Sequence, residues 1–388
     1  MIVGIRHVRP VAWIAFLLSL GLTRMGCRSI GFPPSSLLGE WRTEGGGFHR
    51  TGSVHPGLSP PLEEVWRARA GRGIRGSPVP VGSTAVIATT DGKVKAFRIP
   101  DGKRIWETKI RGGCFSSPIV SEGRLYLTTE HPDGTLYCLE LDTGGILWEQ
   151  PVGPSRSTPS IEGEIIFTVT NVGEVFAHST ESGELRWKSA IRSLVPQSPV
   201  VAGDSVYVLC PGDTLKILST SDGAVLERIS LPLLWQPRMA KDNGHLVFSS
   251  RLGIGFISSS SSGKIGLTSG SMALYRFALS GGTILATNGV RTAFAADAST
   301  GETLWTHDTS GLLEASPCIA GEIGVIVSLA GEIRLLDMAT GLPLWSTQID
   351  ASLSPSPAIS GEWLFIATDR GELIAFSSSP DRAQKGTE

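Results

Sequence analysis

One unit of about forty residues recurs along this chain, and that repeat decides what the chain can become. The best-preserved copy is Gly331–Trp345, GEIRLLDMATGLPLW. Relatives of it are GKVKAFRIPDGKRIW (Gly92–Trp106), GTLYCLELDTGGILW (Gly134–Trp148) and GEVFAHSTESGELRW (Gly173–Trp187), with a weaker copy at Ala293–Trp305. Each reads as a strand, a turn with glycine, and a second strand carrying Trp.

Three markers set the register. A Ser/Thr-Pro step recurs at Ser77-Pro78, Ser117-Pro118, Thr158-Pro159, Ser198-Pro199, Ser316-Pro317 and Ser356-Pro357, with Gln236-Pro237 as a variant. Proline has no ladder donor and belongs at a strand's start or edge. About four residues later comes a turn glycine: Gly82, Gly123, Gly163, Gly203, Gly244, Gly282, Gly321 and Gly361, spaced 38 to 41 residues apart. The third marker is Trp66, Trp106, Trp148, Trp187, Trp305 and Trp345. Two copies without Trp place the missing positions near Glu227 and Leu267.

Between the markers lie runs of four to eight residues rich in β-branched and aromatic types, such as GRLYLTTE and GTLYCLELD. Four short strands per forty residues is the pattern of a propeller blade. One such sheet cannot bury its own faces, whereas stacked neighbours can, with a Trp from each outer strand filling the seam. The last repeat supplies only three strands, and Leu62–Ala70 carries a Trp strand upstream of the first Ser-Pro. Pairing the two completes the count. The expectation is all-β: an eight-bladed propeller of four-stranded antiparallel blades, its ring closed by the N-terminal strand joining the C-terminal blade. The stretch from about Leu231 to Gly289 is degenerate, yet GHLVFSSR and GTILATNG still read as strands.

The ends read differently. Arg6, His7 and Arg9 precede a twelve-residue apolar run, Val11–Leu22, which is short for a membrane span and has the form of an export signal over residues 1–26. Cys27 follows Gly26 as a lipidated cysteine would, although Arg24 stands where an apolar residue is usual; Ser19-Leu20-Gly21 offers an ordinary cleavage site instead. Residues 27–40 read as a tether, 41–377 as the propeller and 378–388 as a disordered tail.

Little in the sequence carries chemistry. With a net charge of −2 and scattered Lys and Arg, nothing favours a nucleic-acid partner. Gly71–Gly76 matches GxGxxG but runs between two strands rather than into a helix, so it reads as a blade connection. Arg67, Arg69, Arg72 and Arg75 form a local basic patch there. The seven histidines lack ligand spacing and read as surface or turn residues. Asp91, Asp133 and Asp369 sit in turns, where Asp serves geometry. Cys114, Cys138, Cys210 and Cys318 read as small buried residues, with a Cys114–Cys138 bridge as the alternative. No catalytic, cofactor-binding or metal-binding residue is assigned.

The combination of Ser-Pro, D/R-G-x-V/L-x-A/C-F/L and T/D-G-x-x-x-W resembles the pyrroloquinoline-quinone-like β-propeller repeat family over about Trp41–Ser377. Trp41 to Gly52, with Gly45-Gly46-Gly47, is similar to that family's lead-in to its first blade. Size, blade number and the lipoprotein-like start resemble most the propeller lipoproteins of the outer-membrane β-barrel assembly machinery. The resemblance implies a monomeric, non-enzymatic scaffold without cofactor, held in the periplasm at the outer membrane through a lipid on Cys27, with envelope proteins as partners. Two alternatives stay open: a quinone-dependent dehydrogenase and a polysaccharide-recognising propeller. The dehydrogenases of the family carry an adjacent-cysteine pair and a metal site with a catalytic Asp, and neither pattern maps onto this chain.

Overall fold

Residues 41–378 are described by a computed structural model, apart from 48–49, 56, 132, 193, 195–196, 211, 235–237, 243–244, 251–252, 259–264 and 268–275. They form eight antiparallel blades: seven sheets of four strands and one of five. In chain order the blades cover 79–109, 119–151, 160–190, 200–234, 239–267, 276–308, 318–348 and 358–377. The eighth takes its outer strand from Glu63–Arg69, which pairs antiparallel with Glu372–Ser377. The ring therefore closes with strands from both ends of the propeller. In the degenerate region His245–Ser250 and Thr283–Thr287 are strands.

Blade one shows why the residues fall where they do. Its strands are Val79–Val81, Thr84–Ala88, Lys93–Arg98 and Arg104–Lys109. The second strand, TAVIA, is buried at four consecutive positions. It is covered by a neighbouring blade on each face, so alternation gives way to an apolar run. The outer strand, RIWETK, is exposed except at Trp106 and Thr108, as befits a sheet edge at the rim.

The blades are locked at their seams by Trp. Trp106 Nε1 donates to Leu141 O in the next blade at 2.8 Å, Trp148 to Thr180 O at 3.2 Å, Trp187 to Thr220 O at 2.8 Å and Trp305 to Met338 O at 2.8 Å. Trp66 of the closing blade donates to Ile99 O at 2.5 Å. Each ring lies on the turn glycine of the following blade: Gly102, Gly144, Gly183, Gly223 and Gly341 would each place a Cβ within 2.4–2.7 Å of the ring. The eighth blade has no hairpin to offer such a seat, and Trp345 meets Phe376 edge-on at 6.0 Å. Blade four has Glu227 in the Trp position, opposite Ile217 as Trp187 is opposite Ala177.

A second ring surrounds the axis. Ser77 N donates to Ser117 Oγ, Ser117 N to Thr158 Oγ1, Thr158 N to Ser198 Oγ, and Ser316 N to Ser356 Oγ, at 2.7–3.2 Å. The hydroxyls of Ser117, Thr158, Ser198 and Ser356 thus each cap a backbone donor one blade back. Proline supplies the start of the strand; the hydroxyl joins the blades.

The cysteines are the small buried residues expected, and one expectation, for a histidine, changes. Cys114 and Cys138 are buried and free, so no bridge joins them. Cys114 packs in the cluster between blades one and two and Cys138 in that between blades two and three, on different sheet faces. His178 is a core residue, 3% exposed, rather than a surface one. Its ring stacks on Phe176 at 5.8 Å, and its Nδ1 has no hydrogen-bond partner.

Burial pushes the His178 pKa down to about 4. The unfolded chain therefore binds a proton between pH 6.5 and about 4 that the folded chain refuses, so stability rises with pH across that window. The loss on acidification is expected to reach about 3 kcal/mol. Denaturation of wild type and His178→Phe at pH 7 and pH 4 checks it; equal losses in both proteins would remove the assignment.

Candidate functional site: the filled axis and the outer rim

The innermost strand of each blade shows one unpaired edge to the axis, a row of donors and acceptors that must be met. Here the chain meets them with its own lead-in. Ser53–Val54 adds as a parallel strand to Cys318–Ala320 of blade seven. Ile319 N donates to Gly52 O at 2.8 Å, Gly321 N to Val54 O at 3.0 Å, Leu279 N of blade six to Thr51 O at 2.6 Å, and Val120 N of blade two to Arg42 O at 2.9 Å. Trp41 is 1% exposed and anchors the start of the segment in the core. Gly52 is required where it stands: its φ is +73°, and a Cβ would lie 2.8 Å from that of Ala278.

Arg50 is the side chain at the centre of this segment. It is buried, with a left-handed φ of 58°. Its Nη2 donates to Thr158 O at 3.0 Å, Pro159 O at 2.9 Å and Ser160 Oγ at 3.3 Å, and its Nε to Pro199 O at 3.3 Å. One guanidinium so joins blades three and four. Glu44, six residues earlier, pairs with Arg238 at the entry of blade five. The lead-in thereby touches six of the eight blades.

Above Arg50 remains a cavity of about 220 Å³, lined among others by Glu44, Arg75, Arg156, Arg238, Arg276 and Glu314. Arg75, Arg156, Glu314 and Ser354 each stand two residues before a Ser/Thr-Pro step, so one repeat position from several blades converges at the mouth of the axis. Arg75 thus leaves the basic patch read from the sequence and joins the axial set, while Arg67 is taken up by Glu64 and Glu372 at the rim.

The outer rim is chemically different. Ile105, Leu147, Leu185, Leu226, Leu304 and Leu344, each on the outer strand of its blade, are 46–59% exposed. Those strands pair on one side only.

Cys27 lies outside the described residues. The Trp series lies in the seams between blades, away from the axial cavity, each described seat leaving one ring face on glycine rather than presenting it for sugar stacking. Arg50, Arg238 and Arg276 were not singled out by sequence reasoning. The glycine-rich lead-in signalled a special backbone, but only the folded ring shows where it goes. The residues present do not fit a quinone site of the dehydrogenase kind. The four described cysteines are each buried and free, and among the described residues no group of three or more His, Cys, Asp or Glu could hold a metal ion. The axis itself is occupied by the lead-in.

Comparison with known proteins agrees with the architecture. The family described as outer membrane protein assembly factor BamB matches residues 58–150, 132–255 and 233–380. Among curated proteins, the BamB of Burkholderia pseudomallei is 30% identical over 171 residues, covering 42% of this chain and 44% of that protein. The BamB of Legionella pneumophila is 26% identical over 167 residues, covering 40% and 43%. The chain thus spans under half the length of these relatives. Among solved structures, BamB from Moraxella catarrhalis superposes with a TM-score of 0.69 at 16% identity, covering 82% of this chain and 98% of that one. A quinohemoprotein alcohol dehydrogenase from Comamonas testosteroni superposes with a TM-score of 0.71 at 12% identity, covering 87% and 80%; at such identity the likeness is one of fold. With three overlapping matches running through all eight blades, the chain belongs to the outer membrane protein assembly factor BamB family.

Proposed function

We propose that this chain is an exported, non-enzymatic scaffold of the cell envelope that binds protein partners during outer-membrane protein assembly. The observation that carries the reading is the rim: outer strands with a bare edge and a repeated exposed Leu or Ile, in a chain of the BamB family. An extended segment of a partner adds to such an edge through main-chain hydrogen bonds, with the apolar side chains giving grip. The rigid disc holds several such edges in fixed relation. Residues 1–26 act as the export signal, Cys27 carries the lipid, and residues 27–40 tether a monomeric propeller in the periplasm at the outer membrane.

Affinity capture from native envelopes tests it. Wild type is expected to enrich a component of the β-barrel assembly machinery, and Leu147→Lys with Leu185→Lys to reduce that enrichment about tenfold, as loss of about 1.4 kcal/mol of binding would. Recovery of no assembly component would count against the scaffold reading. Lipid labelling of wild type beside Cys27→Ala reports the anchor separately.

A further inference from the structure

Among the described residues, the charge around the axial cavity does not balance. Five arginines reach it: Arg50, Arg75, Arg156, Arg238 and Arg276. Four carboxylates answer them. Glu44 pairs with Arg238, Glu130 with Arg156 at 2.7 Å and Asp369 with Arg75 at 3.9 Å, and Glu314 lies beside Arg276, whose Nε donates to its main-chain oxygen at 3.4 Å. Among the described residues, Arg50 meets no carboxylate; its partners are three carbonyls and a hydroxyl. A buried cation held only by dipoles is expensive, since neutral acceptors do not replace the lost hydration of a full charge.

The surroundings increase that expense. Burial pushes the Arg50 guanidinium down to about 10, and burial followed by the charge of Arg276 pushes Arg238 down to about 9. Both still carry their charge at neutral pH. Arg50 is also held at a φ of 58°, a backbone state that non-glycine residues adopt at some cost. A surplus of positive charge, two arginines that oppose one another, and a strained residue at the floor all act on one partly enclosed space.

We infer that the axial cavity is a binding site for a compact oxyanion, of phosphate or small carboxylate type, seated against Arg50, Arg238 and Arg276 with Arg75 and Arg156 at the mouth. Planar guanidinium groups match phosphate and carboxylate oxygens in paired hydrogen bonds. The hydroxyls of Ser198, Ser316 and Ser356 line the same space and add donors. A volume of about 220 Å³ admits a small ion with some water and excludes a polymer chain. Because the floor belongs to the lead-in, a bound anion ties residues 41–54 to the ring. This inference is independent of the scaffold reading: the rim and the axis share no residue.

The test uses the folded propeller with its lead-in intact, in chloride at matched ionic strength. Inorganic phosphate, sulfate and citrate are titrated separately by calorimetry and by thermal shift. A saturable heat and a rising Tm are expected with at least one of the three, and which one responds separates phosphate-type from carboxylate-type ligands. Arg50→Met is expected to weaken that binding at least about tenfold, as loss of one charge-assisted pair does. Arg75→Gln, at the exposed mouth where folding is not at stake, is expected to weaken it by a smaller factor of about three. No saturation by any of the three anions at about ten-millimolar concentration, weaker than an affinity of about 4 kcal/mol would allow, overturns the inference. So does an affinity unchanged in both variants.

Discussion

Replacing the buried Gly144 by alanine is expected to destabilise the propeller by about 2–5 kcal/mol, although the change adds a single methyl group. Gly144 has a φ of +73°, and the new Cβ would lie 2.4 Å from Cε3 of Trp106 and 2.7 Å from Thr108 Oγ1. The left-handed backbone alone accounts for about 1–2 kcal/mol, and displacement of a packed ring for about 1–3 more. The displaced Trp106 would also lose its bond to Leu141 O. Removing the ring itself, by Trp106→Ala, is expected to cost about 3–5 kcal/mol. The informative measurement is the double variant. Once the ring is gone the alanine meets only Thr108 Oγ1, so the combined loss should fall short of the summed losses by at least about 1 kcal/mol. Urea denaturation at constant slope reads these differences. Additive losses would show that the Trp–Gly seam is not the contact that joins the blades.

Gly52→Val is expected to act at the axis and to be the more local of the two. A β-branched residue at a φ of +73°, with its Cβ driven to 2.8 Å from that of Ala278, cannot stay in place. The lead-in then lifts from blades six and seven, and Leu279 N, Ile319 N and Gly321 N lose Thr51 O, Gly52 O and Val54 O. Each abandoned buried donor costs about 1–3 kcal/mol unless water reaches it. Amide exchange at Leu279, Ile319 and Gly321 is expected to quicken about a hundredfold or more, as an opening about 3 kcal/mol easier requires, while Trp-seam amides such as Leu141 keep their protection. Unchanged exchange at Ile319 would mean that the inner strands do not depend on the lead-in. In the same variant, the axial anion affinity should fall with the displaced Arg50.

The repeat markers carried much of the fold, each for a local reason. Period-two strands, a glycine where φ must be positive and a proline where no donor is needed are written in short windows, so blade count and ring closure could be read from spacing. Even the degenerate stretch kept enough strand signal at His245–Ser250 and Thr283–Thr287. Partnership between repeats was not legible. Gly144 is a turn glycine by its own context, yet its lack of a side chain also serves Trp106, 38 residues earlier in the preceding blade. The serine of Ser117-Pro118 looked like part of a strand start and instead caps Ser77 N of the blade before. His178 shared its polarity with surface histidines, yet the fold buries it.

The candidate site was the least legible part, because it belongs to no single repeat. Arg75, Arg156 and Glu314 occupy one register position, but a position repeated every forty residues becomes a cluster only when the ring brings its copies to one axis. Arg50 is more extreme: its partners lie 108 to 149 residues away. The sequence by itself determined the blade, the number of blades and the strand that closes the circle, since these follow from local backbone preference repeated at a fixed interval. Tertiary structure alone decided that the lead-in fills the axis and that its arginine meets four others there. Hydrogen bonds and charge act through space, and circular closure sets distances that no separation along the chain encodes.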